Sequence, residues 1–249
     1  MLVLGAGYWV LEHGAWNMEP GRATRVQETD QIMISEMQEF IDNLKIAIKR
    51  GLPGTQVQWM MAGSDRLLKD FPKVPGPDAR IAGVLIMLWT QNGSVHTVFM
   101  QRPDYVGFHS GQISFPGGKQ EPSDENIIRT ALREANEEAG INSESIEVAG
   151  LLTPLFIPVS NIIVTAVVGC SKETPRFRPD PQEVDHLIIA DLQEFLDPGI
   201  VKTKPMILRG ETYNIRYFGY KEYVIWGATA MILNELIDII KGENISLLL

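Results

Sequence analysis

Hydrophobic residues recur at helical spacing in three parts of the chain. In the first part, from Ile34 to Ile48, apolar residues return every three or four positions, and Gly51 follows as a stop. The second part covers residues 126–139, and the third covers residues 228–242, which end in a lysine and a glycine. We therefore predict three amphipathic helices, of which the third is near the C-terminus.

Apolar runs of strand length separate these helices. Residues 81–90 form a nearly continuous apolar run, which is typical of a buried strand, and a turn at 91–94 joins it to a second strand at 95–102. Further strands are predicted within residues 146–157 and 161–169, a strand followed by a short helix within 184–196, and a last hairpin within 213–226. Strands interleaved with few helices indicate a mixed α/β domain and argue against a regular βαβ array.

The segment before the first helix differs in composition. Residues 17–32 are polar and rich in turn-forming residues, so we predict a linker there. Residues 1–32 are then an N-terminal extension, and the sequence leaves open whether it is native and whether it is ordered. Residues 33–249 are predicted to form one domain. Met33 is accordingly a candidate for the true start of the protein, and mass spectrometry of the native protein tests that hypothesis.

Composition and charge narrow the class of protein. A hydrophobic fraction of 45% and a charged fraction of 21% are ordinary for a globular protein. The single cysteine, Cys170, excludes an intramolecular disulfide framework and suits a reducing compartment, so we expect a cytoplasmic protein. The net charge of −9 argues against nucleic acid as a partner. Because no run of about 18 apolar residues is free of charge, we expect no membrane partner either.

Three glutamates cluster near the end of the predicted middle helix. Glu134, Glu137 and Glu138 have the i, i+3, i+4 spacing that brings side chains together on one face, away from the apolar stripe. A solvated acidic face is the ordinary explanation of such a cluster. However, negative charge in the last turns opposes the helix dipole, and the like charges repel one another. A divalent cation removes both penalties, and carboxylate oxygens are good ligands for Mg²⁺ or Mn²⁺.

These glutamates belong to a segment that resembles the Nudix box, the motif of the Nudix hydrolase superfamily. Arg133-Glu134, Glu137-Glu138 and Gly140 fit the helical part of the box. The resemblance implies a fold of the α/β class, namely a Nudix-type α/β/α sandwich with a mixed β-sheet.

The loop of the box departs from the pattern by one residue. Glu125 stands at the box distance before Arg133, but the loop between Gly118 and Glu125 is then one residue too long. With Asp124 as the acid, the loop fits and the helical part is one residue longer instead. The sequence leaves both alignments open.

The residues ahead of the box are similar to the signature of coenzyme A pyrophosphatases within the superfamily. The matching residues of the segment 101–121 are Arg102, His109, Gly111, Gln112 and Phe115–Gly118. This resemblance covers roughly residues 35–240 and implies that Arg102, His109 and Gln112 bind substrate, and Lys119 is a further substrate-binding candidate because it is a nearby cation. A surface charge at Arg102, and loop-stabilising hydrogen bonds from His109 and Gln112, are the alternatives.

Gly107 is the departure from this signature with the clearest consequence for substrate binding. It stands where the signature has an arginine, the side chain best suited to bind the 3′-phosphate of coenzyme A in a bidentate manner. We therefore expect either that another cation replaces this contact or that the preference for coenzyme A is weaker.

The reaction implied by the resemblance is metal-dependent hydrolysis of a diphosphate linkage in a small-molecule nucleotide derivative. The cofactor is Mg²⁺ or Mn²⁺, with Glu134 and Glu138 as first ligands and Glu137 sharing a metal or acting as base. The Gly117 carbonyl is a further candidate ligand, because the glycine turn lets the backbone come close. Arg133 is expected to orient Glu137, and Glu183, which precedes an apolar strand, is expected to supply a further acid.

Several alternatives remain at this point. The chain could hydrolyse another diphosphate, such as ADP-ribose or a nucleoside triphosphate. It could be a non-catalytic sensor with the same fold, although the complete set of glutamates argues against that, or a structural protein. The sequence leaves a homodimer open, as it does the preferred metal.

Overall fold

The computed structural model describes residues 9–12, 15–18, 20–63, 74–103, 111–208 and 210–248, with side chains from residue 35 onwards apart from those of residues 208 and 211. Four α-helices lie in these ranges: α1 Pro20–Arg50, α2 Thr55–Trp59, α3 Ile127–Ala139 and α4 Gly227–Gly242. The strands are β1 Trp9–Glu12, β2 Ala15–Met18, β3 Arg80–Gln91, β4 Ser94–Gln101, β5 Ile113–Ser114, β6 Gly117–Lys119, β7 Glu147–Leu151, β8 Leu155–Ile157, β9 Ile162–Ser171, β10 His186–Asp191, β11 Val201–Leu208, β12 Glu211–Tyr220 and β13 Tyr223–Trp226.

The central sheet contains both parallel and antiparallel strand pairs. Its strand order is β10-β4-β3-β9-β7, with β5 beside β4, β6 beside β3 and β8 beside β9. The parallel pair is β3 with β9, from Arg80 opposite Ile162 to Trp89 opposite Ser171, and the other pairs are antiparallel. Strands β11, β12 and β13 form a separate antiparallel sheet, and β1 pairs with β2. The predicted mixed sheet is thus confirmed.

Helices cover both faces of the central sheet. Because successive side chains of a strand point to opposite faces, β3 divides its apolar residues between two cores. Leu85 and Met87 lie in a core with buried residues of α3. Ile86 and Leu88 lie in the larger core with buried residues of α1 and α4, namely Met37, Ile41, Leu44, Ile232, Leu236 and Ile240. This arrangement confirms the expected α/β/α sandwich.

The N-terminal segment differs from the prediction in one respect. Helix α1 begins at Pro20, so residues 20–32 are helical and not turn-rich as their composition suggested, while the assignment of residues 1–32 as an extension or linker stays a prediction. Between Gly21 and Met33 the chain has neither Gly nor Pro and carries many good helix formers, and a proline is well tolerated at the first helical position. The proposed domain boundary at Met33 stays a prediction.

The C-terminal region contains one strand more than predicted. The predicted hairpin is formed by β12 and β13, and β11 adds a third strand to it. The short helix predicted after β10 is a 3₁₀ helix at Leu192–Leu196. Of the helices that the structure describes, none combines the length and the apolar character needed to cross a membrane.

Candidate active site

Helix α3 carries most of the candidate site, and its ends are well defined. The Asn126 side chain accepts hydrogen bonds from two backbone N–H groups of the first turn, and Gly140 ends the helix in the left-handed conformation. The predicted apolar stripe holds α3 against the sheet: Ala131, Leu132, Ala135 and Ala139 are buried, and Ile128 is partly buried. Burial of this stripe fixes the rotation of α3 about its own axis. It therefore determines the direction in which Glu134, Glu137 and Glu138 point.

Asp124 is the acid that pairs with Arg133. The Arg133 Nε donates to Asp124 Oδ1 at 3.0 Å and its Nη2 to Oδ2 at 2.9 Å, a bidentate contact. The Thr130 hydroxyl and the Glu121 backbone N–H also donate to Asp124. The Arg133 guanidinium, with these donors, holds the pKa of Asp124 well below its usual range. Glu125, in contrast, is largely exposed, so the structure selects Asp124 for this position.

Glu138 is the buried carboxylate of the site, with only 2% of its surface exposed. Its Oε2 accepts from the Gly117 N–H at 2.7 Å and its Oε1 from Arg102 Nη2 at 3.2 Å. Burial raises the pKa of Glu138 to about 7 although these two donors lower it, and the charges of Glu134 and Glu183 raise it further. Glu138 therefore does not lie on a solvated acidic face, because the backbone at Gly117 lies against it.

Glu134 is partly covered, with 16% of its side chain exposed. Its Oε1 accepts from Arg133 Nη1 at 3.0 Å, and burial raises its pKa. A Cβ atom added to Gly118 would lie 2.4 Å from Glu134 Oε2. The absence of a side chain at residue 118 is thus what allows this carboxylate to approach the turn.

Glu137 is the most exposed of the three glutamates, at 57% of its side chain. Its Oε2 accepts from Arg133 Nη1 at 2.9 Å, so the guanidinium contacts Asp124, Glu134 and Glu137 together. The expected contact between Arg133 and Glu137 is present. The roles of Glu137 as metal ligand or base stay predictions.

The turn at Gly117 packs directly on the sheet. Its φ of 152° lies in a region that favours glycine, and an added Cβ would lie 2.4 Å from the Gly83 carbonyl oxygen. The contact that the structure shows toward the site is the Gly117 N–H donating to Glu138. The predicted metal contact of the Gly117 carbonyl stays a prediction.

Glu183 belongs to a loop that is fastened to the end of α3. The Asp180 N–H donates to the Glu138 carbonyl at 2.9 Å, and the Glu183 N–H donates to the Asp180 carbonyl at 3.1 Å. The Glu183 side chain is exposed, yet its charge is close enough to raise the pKa of Glu134 and Glu138. Glu183 therefore lies beside the carboxylates, and its role as an acid stays a prediction.

The predicted substrate-binding residues have different surroundings. Arg102 is half-buried on Glu138, and its backbone N–H donates to the Gln112 carbonyl at 3.1 Å. The Lys119 side chain is exposed, while its carbonyl accepts from Arg133 Nη2. His109, like Gly107, lies outside the residues that the structure describes. Arg102 is thus joined to the carboxylate cluster in a way that no sequence signal indicated.

The residues present fit a hard divalent cation. Glu134 and Glu138 lie against the same glycine turn, and burial disfavours their charges, a cost that a cation would offset. Within the described ranges, no three Asp, Glu, His or Cys side chains are close enough together to hold a metal ion by themselves. Glu137 is engaged by Arg133 instead. Mg²⁺ is often bound by one or two carboxylates, with water and substrate phosphate completing its shell, and this donor set matches that pattern.

Comparison with known proteins agrees with this geometry. A family model described as the NUDIX domain matches residues 79–210. Nudix hydrolase 15, mitochondrial, of Arabidopsis thaliana is 36% identical over 159 residues, which are 61% of this chain and 55% of the plant protein. An uncharacterized Nudix hydrolase, NudL, of Citrobacter koseri is 34% identical over 186 residues, which are 71% of this chain and 96% of the bacterial protein.

A third relative has a named substrate. The peroxisomal coenzyme A diphosphatase NUDT7 of Mus musculus is 32% identical over 153 residues, which are 59% of this chain and 64% of the mouse protein. The chain therefore spans about half the length of the plant relative and less than two thirds of the mouse relative.

Proposed function

Because the chain belongs to the NUDIX domain family, we propose that it hydrolyses a diphosphate linkage in a nucleotide derivative with the help of Mg²⁺ or Mn²⁺. The observation that carries this proposal is the Glu138 carboxylate. It is almost completely buried, it accepts hydrogen bonds from Gly117 and Arg102, and it lies on the same turn as Glu134. A buried carboxylate with remaining acceptor capacity is suited to hold a metal ion.

Each side chain then has a distinct task. When bound, the cation neutralises the diphosphate oxygens and activates a water molecule for attack on phosphorus. Glu134 and Glu138 would hold the cation, and Arg133 keeps Glu134 and Glu137 in place while its own position is fixed by Asp124. Glu183, whose charge acts on Glu134, is the proton acceptor in this proposal. Arg102 offers a positive charge at the edge of the same cluster.

Within this reaction class we propose coenzyme A or an acyl-coenzyme A as substrate, with 3′,5′-ADP and (acyl-)4′-phosphopantetheine as products. Two observations support this choice. The segment 101–121 is similar to the coenzyme A pyrophosphatase signature, and the mouse relative is named a coenzyme A diphosphatase. The cytoplasm stays the predicted location, although the named relatives are mitochondrial and peroxisomal.

Hydrolysis of another diphosphate, such as ADP-ribose or a nucleoside triphosphate, is the second candidate. Gly107 favours it, because the arginine that would select the 3′-phosphate is missing. Two basic residues that could have replaced it have partners elsewhere: Arg102 contacts Glu138, and Arg216 donates to the Met60 carbonyl.

One assay separates these candidates. The full chain is incubated with coenzyme A, ADP-ribose and a nucleoside triphosphate at millimolar Mg²⁺ or Mn²⁺, and the products are resolved by chromatography. Release of 3′,5′-ADP from coenzyme A, at the highest kcat/KM of the three, is the expected result. A higher kcat/KM for ADP-ribose or the triphosphate would contradict the choice of coenzyme A, and no hydrolysis of any of them would contradict the enzyme itself.

A further inference from the structure

The two hydrogen-bond donors of the Glu138 carboxylate differ in how freely they can move. Its Oε2 accepts from the Gly117 backbone N–H at 2.7 Å, and its Oε1 accepts from Arg102 Nη2 at 3.2 Å. Gly117 is held in place, because it pairs with Val84 in the central sheet. Since only 2% of the Glu138 side chain is exposed, a cation that binds Oε1 must take the place of the Arg102 guanidinium.

In the described part of the chain, two arginines contact the carboxylates of α3, and they are held with different strength. Arg133 makes a bidentate contact with Asp124, at 2.9 and 3.0 Å, and also donates to Glu134 and Glu137. The contact that the structure gives the Arg102 guanidinium is one hydrogen bond of 3.2 Å, which is long for a charge-assisted bond. Arg133 is therefore a fixed part of the site, whereas Arg102 can be exchanged for another cation.

Such an exchange moves the side chain of Arg102 and leaves its backbone in place. The Arg102 N–H donates to the Gln112 carbonyl at 3.1 Å, and the preceding Gln101 carbonyl accepts from the Asp185 N–H at 2.9 Å. The Arg102 side chain, in contrast, is 27% exposed and has a long stem with several rotatable bonds. The guanidinium can therefore leave Oε1 by a change of rotamer and remain beside the carboxylates.

The charge of Arg102 opposes a divalent cation at Glu138. A cation bound to Oε1 would lie close to the guanidinium, and like charges at such short distances repel one another strongly. The diphosphate of the proposed substrate resolves this conflict, because its oxygens can bind the cation and also accept hydrogen bonds from the guanidinium. Arg102 is thus expected to act differently on the cation alone and on the cation together with a diphosphate.

We propose that Arg102 is an exchangeable counter-ion of Glu138: its guanidinium leaves Oε1 when a metal ion binds there, and then donates to the diphosphate of the substrate. This inference rests on the proposed function and adds a coupling between metal and substrate. Arg102 weakens the binding of the metal ion alone and strengthens the joint binding of metal ion and diphosphate. Because such coupling is reciprocal, each of the two ligands gains the same factor in affinity from the other.

Calorimetry on the full chain measures this coupling without turnover. The probes are Mn²⁺ and α,β-methylene-ADP, a diphosphate whose bridge cannot be hydrolysed, at pH 8, which is above the pKa of about 7 of Glu138. We expect Arg102→Gln to bind Mn²⁺ alone about tenfold more tightly than wild type, since it lacks one charge-assisted hydrogen bond that competes with the metal ion. The factor by which Mn²⁺ tightens the binding of α,β-methylene-ADP should be about tenfold larger in wild type than in Arg102→Gln.

Arg129→Gln is the matched control, because it removes the same charge from an exposed arginine of α3 that faces Glu125. Its affinity for Mn²⁺ should stay within about twofold of wild type, since exposed ion pairs contribute little. Arg102→Lys keeps the positive charge and should restore weak binding of Mn²⁺ alone. Arg102→Met keeps the aliphatic stem and gives the same test if circular dichroism shows that Arg102→Gln does not fold.

The outcomes separate this inference from the proposed enzyme. Tighter binding of Mn²⁺ alone by Arg102→Gln supports the inference even if no diphosphate is hydrolysed, in which case the proposed enzyme alone is contradicted. An affinity for Mn²⁺ that Arg102→Gln leaves unchanged or lowers, or a coupling factor equal to that of wild type, would overturn the inference. Absence of Mn²⁺ binding in both proteins would overturn the inference together with the proposed metal site.

Discussion

Among the residues whose side chains the structure describes, two glutamates are buried almost completely, Glu138 in α3 and Glu235 in α4. The Glu235 carboxylate accepts four hydrogen bonds, from the Gly54 N–H, from Gln58 Nε2 and from both the N–H and the hydroxyl of Thr153. These donors use the roughly four acceptor positions of a carboxylate and join α2, α4 and the turn after β7. Glu235 therefore has a structural role, and its carboxylate has no acceptor position left for a ligand.

The buried Glu138 carboxylate differs from that of Glu235 because some of its hydrogen-bond acceptor positions are unused. The structure shows two donors for it, Gly117 and Arg102, and its pKa is raised to about 7 by burial. Acceptor capacity therefore remains at a place where negative charge is disfavoured. The comparison teaches that burial of a carboxylate alone does not mark a functional site, whereas burial with incomplete hydrogen bonding does.

The strongest test of this difference replaces Glu138. Glu138→Gln preserves the side-chain shape and the contact with the Gly117 N–H but removes the charge, so we expect turnover to fall by orders of magnitude. Glu134→Gln should behave similarly. Steady-state rates at saturating Mg²⁺ and thermal melts check both variants. Near-normal rates in both would refute their assignment as metal ligands.

A smaller loss is expected from closing the space next to Glu134. In Gly118→Ala the new Cβ would lie 2.4 Å from Glu134 Oε2, so the carboxylate must move. We expect kcat to fall by roughly ten- to a hundredfold, because small displacements of catalytic groups are costly. Gly242→Ala is the matched control, since no atom lies within 4 Å of its added Cβ. Equal kcat values in the two variants would show that the position of Glu134 is not critical.

Substitution also distinguishes the two candidate acids of the Nudix box, Asp124 and Glu125. Asp124→Asn removes the bidentate partner of Arg133, whereas Glu125→Gln changes an exposed side chain. We expect the first to lower kcat/KM by about tenfold through poorer placement of Glu134 and Glu137, and the second to change it less than twofold. The opposite order would assign the acid position to Glu125 and contradict the pairing seen here.

Metal affinity should depend on pH through Glu138. A metal ligand must be deprotonated, and the pKa of Glu138 without metal is about 7, so protons compete with the cation below that value. From pH 6 to pH 8 the apparent affinity for Mn²⁺ should rise by about tenfold, as measured by calorimetry. In Glu138→Gln this rise should disappear.

The same pKa has a consequence for stability without metal. Because the folded-state pKa of Glu138 lies above its ordinary value, its contribution favours folding at low pH and is lost as pH rises through about 7. Mn²⁺ should therefore raise the melting temperature more at pH 8 than at pH 6. A shift that is independent of pH would argue against Glu138 as a ligand.

Glu235→Gln should have the smallest effect on catalysis and a clear one on stability. The amide places a nitrogen donor against groups that also donate, which costs about 1–3 kcal/mol and lowers the melting temperature by several degrees. We expect kcat to stay within twofold of wild type. Asp238→Asn, an exposed change on the same helix, is the control for the melt. A loss of turnover in Glu235→Gln comparable to that of Glu138→Gln would remove the distinction between the two carboxylates.

The sequence predicts those parts of the fold that depend on local periodicity. The helical spacing of α3 and α4 and the apolar run of β3 are long enough to be unambiguous, and each was found where it was expected. The helical residues 20–32 were missed because their polar composition gives no apolar stripe. Strand β11 was missed because Lys202, Lys204 and Pro205, whose residue types are depleted in strands, interrupt its apolar and β-branched residues.

The sequence indicated which residues are candidates for the site, but it did not indicate how their side chains are arranged. Spacing placed Glu138 on the polar face, because the turn that buries it lies far away in sequence. Spacing also left Asp124 and Glu125 equivalent, since only the three-dimensional pairing with Arg133 distinguishes them. The contact between Arg102 and Glu138 joins two elements whose proximity no local pattern encodes.

The parallel pairing of β3 with β9 also sets the order in which the molecule can assemble. The chain between these adjacent strands, residues 92–161, contains Arg102, the glycine turn and all of α3. Bringing the two strands together requires the closure of this long loop, whose entropic cost must be met before the non-local contacts form, so contact order slows folding. The proposed metal ligands Glu134 and Glu138 lie within this loop, and the glycine turn beside them packs on β3 at Gly83. Protection of the Gly117 amide from hydrogen exchange would then report on global folding rather than on local opening.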